Sequence, residues 1–168
     1  MDHLSATMMP ATSQKTPIGI DRIRELVPHA GTMCLLDRVV EFSVDSIRCE
    51  TDSHTDPGNP LRRNGHLSGI CAIEYAAQAM ALHAALGSAG AATARATNPD
   101  PAHHGYLVSV RDIRCHIRRL DCVTSTLEVC ADRIYGDAAG LIYTFAVTAA
   151  RTALVTGRAS VVPGSASR

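Results

Sequence analysis

The stretch GICAIEYAAQAMALHAAL, residues 69–86, decides the fold, because it is apolar on nearly every side of a helix and carries one charged residue, Glu74. A helix that is hydrophobic all round is normally enclosed by the rest of its domain. A carboxylate is rarely left in such surroundings unless it is paired or used. Gln78 follows four positions later, so both polar side chains share one helix face. The sequence therefore predicts a buried central helix with one polar window.

The segments on either side of this helix differ in pattern. CLLDRVVEFSVDSIRCET, residues 34–51, predicts two short strands, and residues 53–68 predict a loop rich in Pro, Gly and Asn. After a connector at 87–104, polar and apolar residues alternate from 105 to 162, which predicts three or four strands of a half-buried antiparallel sheet. We expect breaks at 136–140 and near Ala153 or Gly157. The fold class is α+β, with an antiparallel sheet curled around one long helix.

The chain divides into three parts. Residues 1–17 predict a disordered lead-in, 18–163 a single domain, and 164–168 a flexible tail. Such a sheet leaves an edge or a face that needs cover, and pairing two copies is a common solution. We therefore expect a homodimer on physical grounds.

Composition excludes several functional classes. Sixteen basic and sixteen acidic residues cancel, and aromatic residues are 4% with no Trp, which argues against binding to nucleic acid or to an anionic membrane surface. The central helix has the length of a membrane span, but its Ala content and polar residues favour a buried helix. Six cysteines without a C-x-x-C pair predict scattered reduced cysteines in the core, a cytoplasmic location and no metal site, and nothing indicates a cofactor.

The candidate site residues surround the start of the central helix. Glu74 is either paired with an arginine in a structural role, or is an acid whose neutral form is favoured by apolar surroundings. His54 lies in a loop whose prolines and glycine can hold it close to a ligand. His66 precedes the helix and could reach its first turn, and Gln78 has a supporting role. Arg62 and Arg63 are either a solvated pair or phosphate contacts.

The segment SHTDPGNPLRRNGHLSGICAIEYAAQAMA, residues 53–81, resembles the active-site segment of the hotdog-fold β-hydroxyacyl-ACP dehydratases. That family carries a Gly-His-Phe-Pro-Gly-x-Pro loop, a Pro-Gly step, and a helix with an acidic residue and an Ala-Gln pair. The matching positions are His54, 57–60 (PGNP), Gly69, Glu74 and 77–78 (AQ). The upstream phrase PHAGTMCLLD (28–37) and the helix phrase IEYAAQ (73–78) resemble a branch associated with aryl polyene and related pigment gene clusters.

The resemblance implies a hotdog fold and a lyase that converts a 3-hydroxyacyl thioester to a 2-enoyl thioester in fatty-acid-like or polyene biosynthesis. A histidine would remove the α-proton, and the helix carboxyl would assist departure of the hydroxyl as water. Backbone N–H groups near Gly69 would polarise the thioester carbonyl. The two catalytic residues come from opposite subunits in this family. The acyl chain would arrive on acyl carrier protein, whose phosphopantetheine arm could explain Arg62 and Arg63.

The segment departs from the family pattern in three places, the first of which is Ser68 in place of the Pro before the helix. His54 lies three residues before Pro57, with Thr55 at the aligned position, and about five extra residues separate Pro60 from Gly69. His54 could reach the substrate by a different path, His66 could take its place, or the site could be degenerate. Two alternative functions therefore remain: an acyl thioesterase of the same fold, and a non-catalytic partner of an active, paralogous dehydratase.

Overall fold

Seven antiparallel strands form one sheet within the described residues, which are 17–27, 29, 31–91, 105–137 and 139–163 of the computed structural model. The strands are β1 (Ile18–Gly19), β2 (Arg38–Phe42), β3 (Ser46–Thr51), β4 (Gly105–Cys115), β5 (Leu127–Asp137), β6 (Gly140–Ala149) and β7 (Thr152–Pro163). Their spatial order is β1-β2-β3-β5-β6-β7-β4, so β4 lies at one edge. The predicted fold class, a sheet around one long helix, is confirmed.

The long helix α2 (Ala72–Ala91) follows a 3-10 turn at Gly69–Cys71 and packs against β3, β5, β6 and β4. A short helix, α1 (Ile20–Leu26), also contacts it. Buried side chains of α2, including Tyr75, Met80 and Leu82, meet strand residues such as Val129 and Val147. Each side chain of this size contributes roughly 1.5–3 kcal/mol when it is fully buried. The stretch Gly69–Gly87 is long and apolar enough for a membrane span, yet 56% of it is buried, which is the placement of a core helix.

A buried histidine joins α2 to the sheet. His83 Nδ1 lies 2.9 Å from the hydroxyl of Tyr143 on β6, and His83 Nε2 lies 3.1 Å from the carbonyl oxygen of Ser43 between β2 and β3. The carbonyl accepts, so Nε2 carries the proton and Nδ1 accepts from the tyrosine. Burial lowers the pKa of His83. The neutral ring is therefore the form that satisfies both contacts.

Two predicted boundaries were wrong. The central helix continues past residue 86 to Ala91, and residues 92–104 of the predicted connector lie outside the described part of the chain, as do 1–16 and 164–168. The last break falls at Ala150–Arg151, where β6 and β7 form a two-residue hairpin with φ of 47° and 65°. This type I′ geometry normally takes Asn-Gly, so Ala-Arg gave no turn signal. Gly157 instead lies within β7, where a Cβ would meet Ile113 at 2.4 Å.

The cysteines are less buried than predicted. All six are free thiols, but only Cys49 is buried, and Cys115 and Cys122 are exposed. Cys115 ends β4, where alternation along the strand does not tell which face meets α2, and Cys122 lies in a 3-10 turn, Leu120–Cys122. Burial raises the pKa of the Cys49 thiol to about 12, which keeps it protonated.

Candidate active site

The polar window of α2 holds Glu74 and Gln78 together. Gln78 Nε2 donates to Glu74 Oε1 at 3.1 Å, as their four-residue spacing predicts. Glu74 lies in the first turn of α2. Its side chain is 33% exposed, so the carboxyl is open to solvent rather than enclosed by apolar groups. A solvent-accessible carboxyl at the start of a helix can transfer a proton, and it can form a hydrogen bond with a substrate hydroxyl or a water molecule.

Gln78 also fixes the segment that precedes β2. Its amide nitrogen donates to the Met33 carbonyl at 2.8 Å, and its amide oxygen accepts the Leu35 backbone N–H at 2.9 Å. The hydroxyls of Thr51 and Ser53 donate to the Leu35 carbonyl at 2.6 and 2.7 Å. This segment, residues 31–36, is therefore fastened to both α2 and the end of β3.

A histidine just before this segment, His29, contacts the polar window. His29 Nε2 lies 3.2 Å from Glu74 Oε1. Sequence reasoning did not include His29 among the site residues, although it lies in the quoted phrase PHAGTMCLLD. The family phrase that contains His29 was recognised, but His29 and Glu74 are 45 positions apart, and no local sequence pattern indicates that they are in contact.

His54 lies in a 3-10 turn, Ser53–Thr55, directly after β3, and is fully buried. Its Nε2 lies 3.2 Å from the Val123 carbonyl, which can only accept, so Nε2 carries the proton. Its Nδ1 has no hydrogen-bond partner among the described residues. Burial lowers the pKa of His54, so the neutral ring presents a free basic nitrogen. Among the described residues, no hydrogen bond or ion pair joins His54 to Glu74.

The loop after His54 is held on α2 by Asn59. The Asn59 amide nitrogen donates to the Ser53 carbonyl and to the Tyr75 hydroxyl, both at 2.9 Å. Its amide oxygen accepts the Leu61 backbone N–H at 3.0 Å. Asn59 and Tyr75 are both buried, so these hydrogen bonds attach the loop to α2 at the neighbour of Glu74.

Arg62 lies inside this loop. Its guanidinium donates to the carbonyls of His54, Thr55, Asp56 and Gly65 at 2.7–3.3 Å. It also lies 3.6 Å from Asp121, and its side chain is only 14% exposed. The guanidinium is therefore occupied by the protein, and its contact with a phosphate stays a prediction.

The extra residues of the loop form a small hairpin. Arg63 and His66 pair through two backbone hydrogen bonds of 2.8 and 2.9 Å, around Asn64 and Gly65, whose φ values are 50° and 76°. Asn-Gly is the preferred pair for such a turn. Both Arg63 and His66 are exposed, and the structure places neither against Glu74.

Gly69 is a glycine for reasons of space. A Cβ there would lie 2.0 Å from the Ile117 carbonyl oxygen, so no side chain fits. Its backbone N–H donates to the Arg118 carbonyl at 3.0 Å. The Gly69 N–H is therefore used within the chain, and polarisation of a thioester carbonyl by backbone N–H groups near Gly69 stays a prediction.

Asp121 links the loop to the chain before α2. It accepts the Leu67 backbone N–H at 3.0 Å and is bound by the guanidinium of Arg119. Arg119 holds the pKa of Asp121 well below its usual range. Among the described residues, no group of three His, Cys, Asp or Glu side chains could hold a metal ion.

Comparison with known proteins identifies the family of the chain. The family model described as ApeP-like, ApeP dehydratase, matches residues 21–167. The chain belongs to the ApeP-like dehydratase family. This match covers the whole domain around Glu74 and confirms the resemblance to the dehydratase-like branch of aryl polyene clusters.

Solved structures agree on the fold of this ApeP-like chain. It is similar to the dehydratase heterocomplex ApeI:P from Xenorhabdus doucetiae, at 23% identity and a TM-score of 0.71, over 84% of this chain and 90% of that one. A thioesterase from Haemophilus influenzae is 12% identical with a TM-score of 0.58, over 88% and 92%. No curated protein matches the chain.

Proposed function

We propose that this ApeP-like protein is the subunit of a dehydratase that removes water from a 3-hydroxyacyl thioester carried on acyl carrier protein, in fatty-acid-like or polyene biosynthesis. The observation that carries the proposal is Glu74, a carboxyl at the start of the central helix, partly open to solvent and held by Gln78. The membership of the chain in a dehydratase family supports the same reaction class.

In the proposed step a base removes the α-proton, and the electron pair of that C–H bond forms the new double bond. The bond from C3 to oxygen breaks, and the hydroxyl leaves as water with the proton of Glu74. The proton taken by the base then returns to the Glu74 carboxylate through solvent. A general acid of this kind contributes typically 10²–10⁴-fold.

The base that faces Glu74 would come from a partner subunit, because His54 of the same chain contacts Val123. His54 would serve the reciprocal site, which requires its loop to open and expose Nδ1. The heterocomplex from Xenorhabdus doucetiae supports a two-subunit arrangement. The free edge of β4, with Tyr106 and Val108 exposed, offers a strand for pairing.

A paralogous dehydratase fits this edge better than a second copy. Arg111 and Arg114 are exposed on β4, and Arg111 lies beside Arg158 of β7. In two antiparallel copies of β4, Arg111 and Arg114 would repel their counterparts wherever the register sets them opposite each other. Arg63, exposed next to the turn of its hairpin, is then the better candidate of the two loop arginines for the phosphopantetheine phosphate. We place the complex in the cytoplasm, which the six free thiols support.

A thioesterase is the second candidate. A carboxyl that is one-third exposed can position a water for attack on a thioester. The two functions give different products, since dehydration leaves the thioester intact and hydrolysis releases a free acid.

The test uses the purified protein alone and mixed with a paralogous dehydratase subunit, with 3-hydroxyacyl-carrier protein as substrate and mass spectrometry of the products. We expect a 2-enoyl thioester from the mixture, and at least an about 100-fold loss in Glu74→Gln. Glu25→Gln, an exposed carboxyl on α1, is the matched control and should keep full activity. Free acid would favour the thioesterase. Undiminished dehydration by the mixture with Glu74→Gln would show a non-catalytic partner.

A further inference from the structure

His29 is the histidine that contacts the Glu74 carboxyl within one chain. The 3.2 Å contact joins His29 Nε2 to Glu74 Oε1, the same oxygen that accepts from Gln78. Among the described residues no donor contacts Oε2. Gln78 and His29 therefore both meet the carboxyl at Oε1, and Oε2 is left to meet a ligand.

The position of His29 depends on the same residue that binds Glu74. Gln78 fastens the backbone of Met33 and Leu35, a few residues after His29, and also donates to Glu74. His29 Nδ1 is buried and has no partner among the described residues. Since a buried polar atom without a partner is costly, an apolar residue would suit this place better if packing were its only role.

We propose that His29 is a positioning residue, which with Gln78 holds Glu74 Oε1 so that Oε2 delivers the proton to the leaving hydroxyl. The inference rests on the proposed function for its kinetic consequence. The contact itself stands on the geometry of the chain. Displacement of a catalytic group by about 1 Å can cost 10²-fold in rate.

The kinetic test compares His29→Leu with His29→Gln in the active complex. Leu removes the donor, and we expect kcat to fall about 10–100-fold with KM within about threefold, since substrate binding is not the lost interaction. Gln places an amide N–H near the position of Nε2 and should restore kcat to within about fivefold of the wild type. In the Glu74→Gln background, His29→Leu should change the rate less than about twofold. Equal losses in both backgrounds, or no rescue by Gln, would overturn the proposal.

A second measurement does not depend on turnover. In a long-range ¹⁵N–¹H spectrum of histidine-labelled protein, Glu74→Leu should shift the ring nitrogens of His29 and leave those of His83 unchanged. Glu25→Leu is the control and should shift neither. An unshifted His29 ring in Glu74→Leu would refute the contact. Absence of dehydration by the wild-type complex, with His29 shifted, would count against the proposed function alone.

Discussion

Arg62→Ala tests whether the Arg62 guanidinium stabilises the loop that carries His54 or binds a phosphate of the substrate. The side chain donates to four backbone carbonyls and is 14% exposed, so its loss leaves these acceptors without their charged donor. Hydrogen bonds to charged groups contribute about 1.5–3 kcal/mol each. Water replaces some of them in a loop at the surface, so we expect a total loss of about 2–4 kcal/mol.

The loss should appear in urea unfolding and as a fall in Tm of roughly 5–15 °C for a domain of this size. Arg62→Lys keeps the charge but cannot span the carbonyls, and should recover less than half of the stability. Arg63→Ala is the matched control, with a change within about 0.5 kcal/mol. If Arg62→Ala raised KM for the carrier-protein substrate and left Tm unchanged, Arg62 would be the phosphate contact and the structural reasoning would be refuted.

Three further predictions concern the packing around the site. Gly69→Ala should destabilise the fold by about 1–3 kcal/mol or more, measured by urea unfolding, because its Cβ meets the Ile117 carbonyl oxygen at 2.0 Å; an unchanged midpoint would contradict this. Gln78→Leu should lower the free energy of unfolding by about 2–5 kcal/mol, since the backbone groups of Met33 and Leu35 lose their side-chain partner. Thermal melting curves measure this loss. The pKa of His83 is lowered from 6.5 by burial, so stability should be complete above pH 6.5 and fall as the pH decreases below it. In urea unfolding at pH 5–7, His83→Phe should reduce this decrease in stability. An unchanged decrease would show that a group other than His83 causes it.

The sequence predicted the parts of the molecule that local patterns encode. The apolar run around Glu74 identified the central helix, and the alternation after residue 105 identified the sheet that wraps it. The four-residue spacing of Glu74 and Gln78 gave their hydrogen bond. These features depend on periodicity, which is a property of adjacent residues.

The remaining features depend on contacts between distant segments. The Gly69 N–H donates to the Arg118 carbonyl and the Arg62 guanidinium donates to loop carbonyls, and no local sequence pattern indicates either contact. His29 meets Glu74 although 45 positions separate them, and Gln78 fastens the segment that follows His29. The exposed hairpin at Asn64–Gly65 also explains the extra loop residues, although its sequence carries a strong turn signal that the motif comparison did not use.

The most direct test of the account is the rate at which the two-subunit complex converts a 3-hydroxyacyl-carrier protein to its 2-enoyl product, with and without the Glu74 carboxyl. Glu74→Gln keeps the shape of the side chain and removes the transferable proton. The account predicts a loss of at least about 100-fold with an unchanged melting temperature. Full turnover by Glu74→Gln would contradict it, because the polar window of the central helix would then have no part in the chemistry.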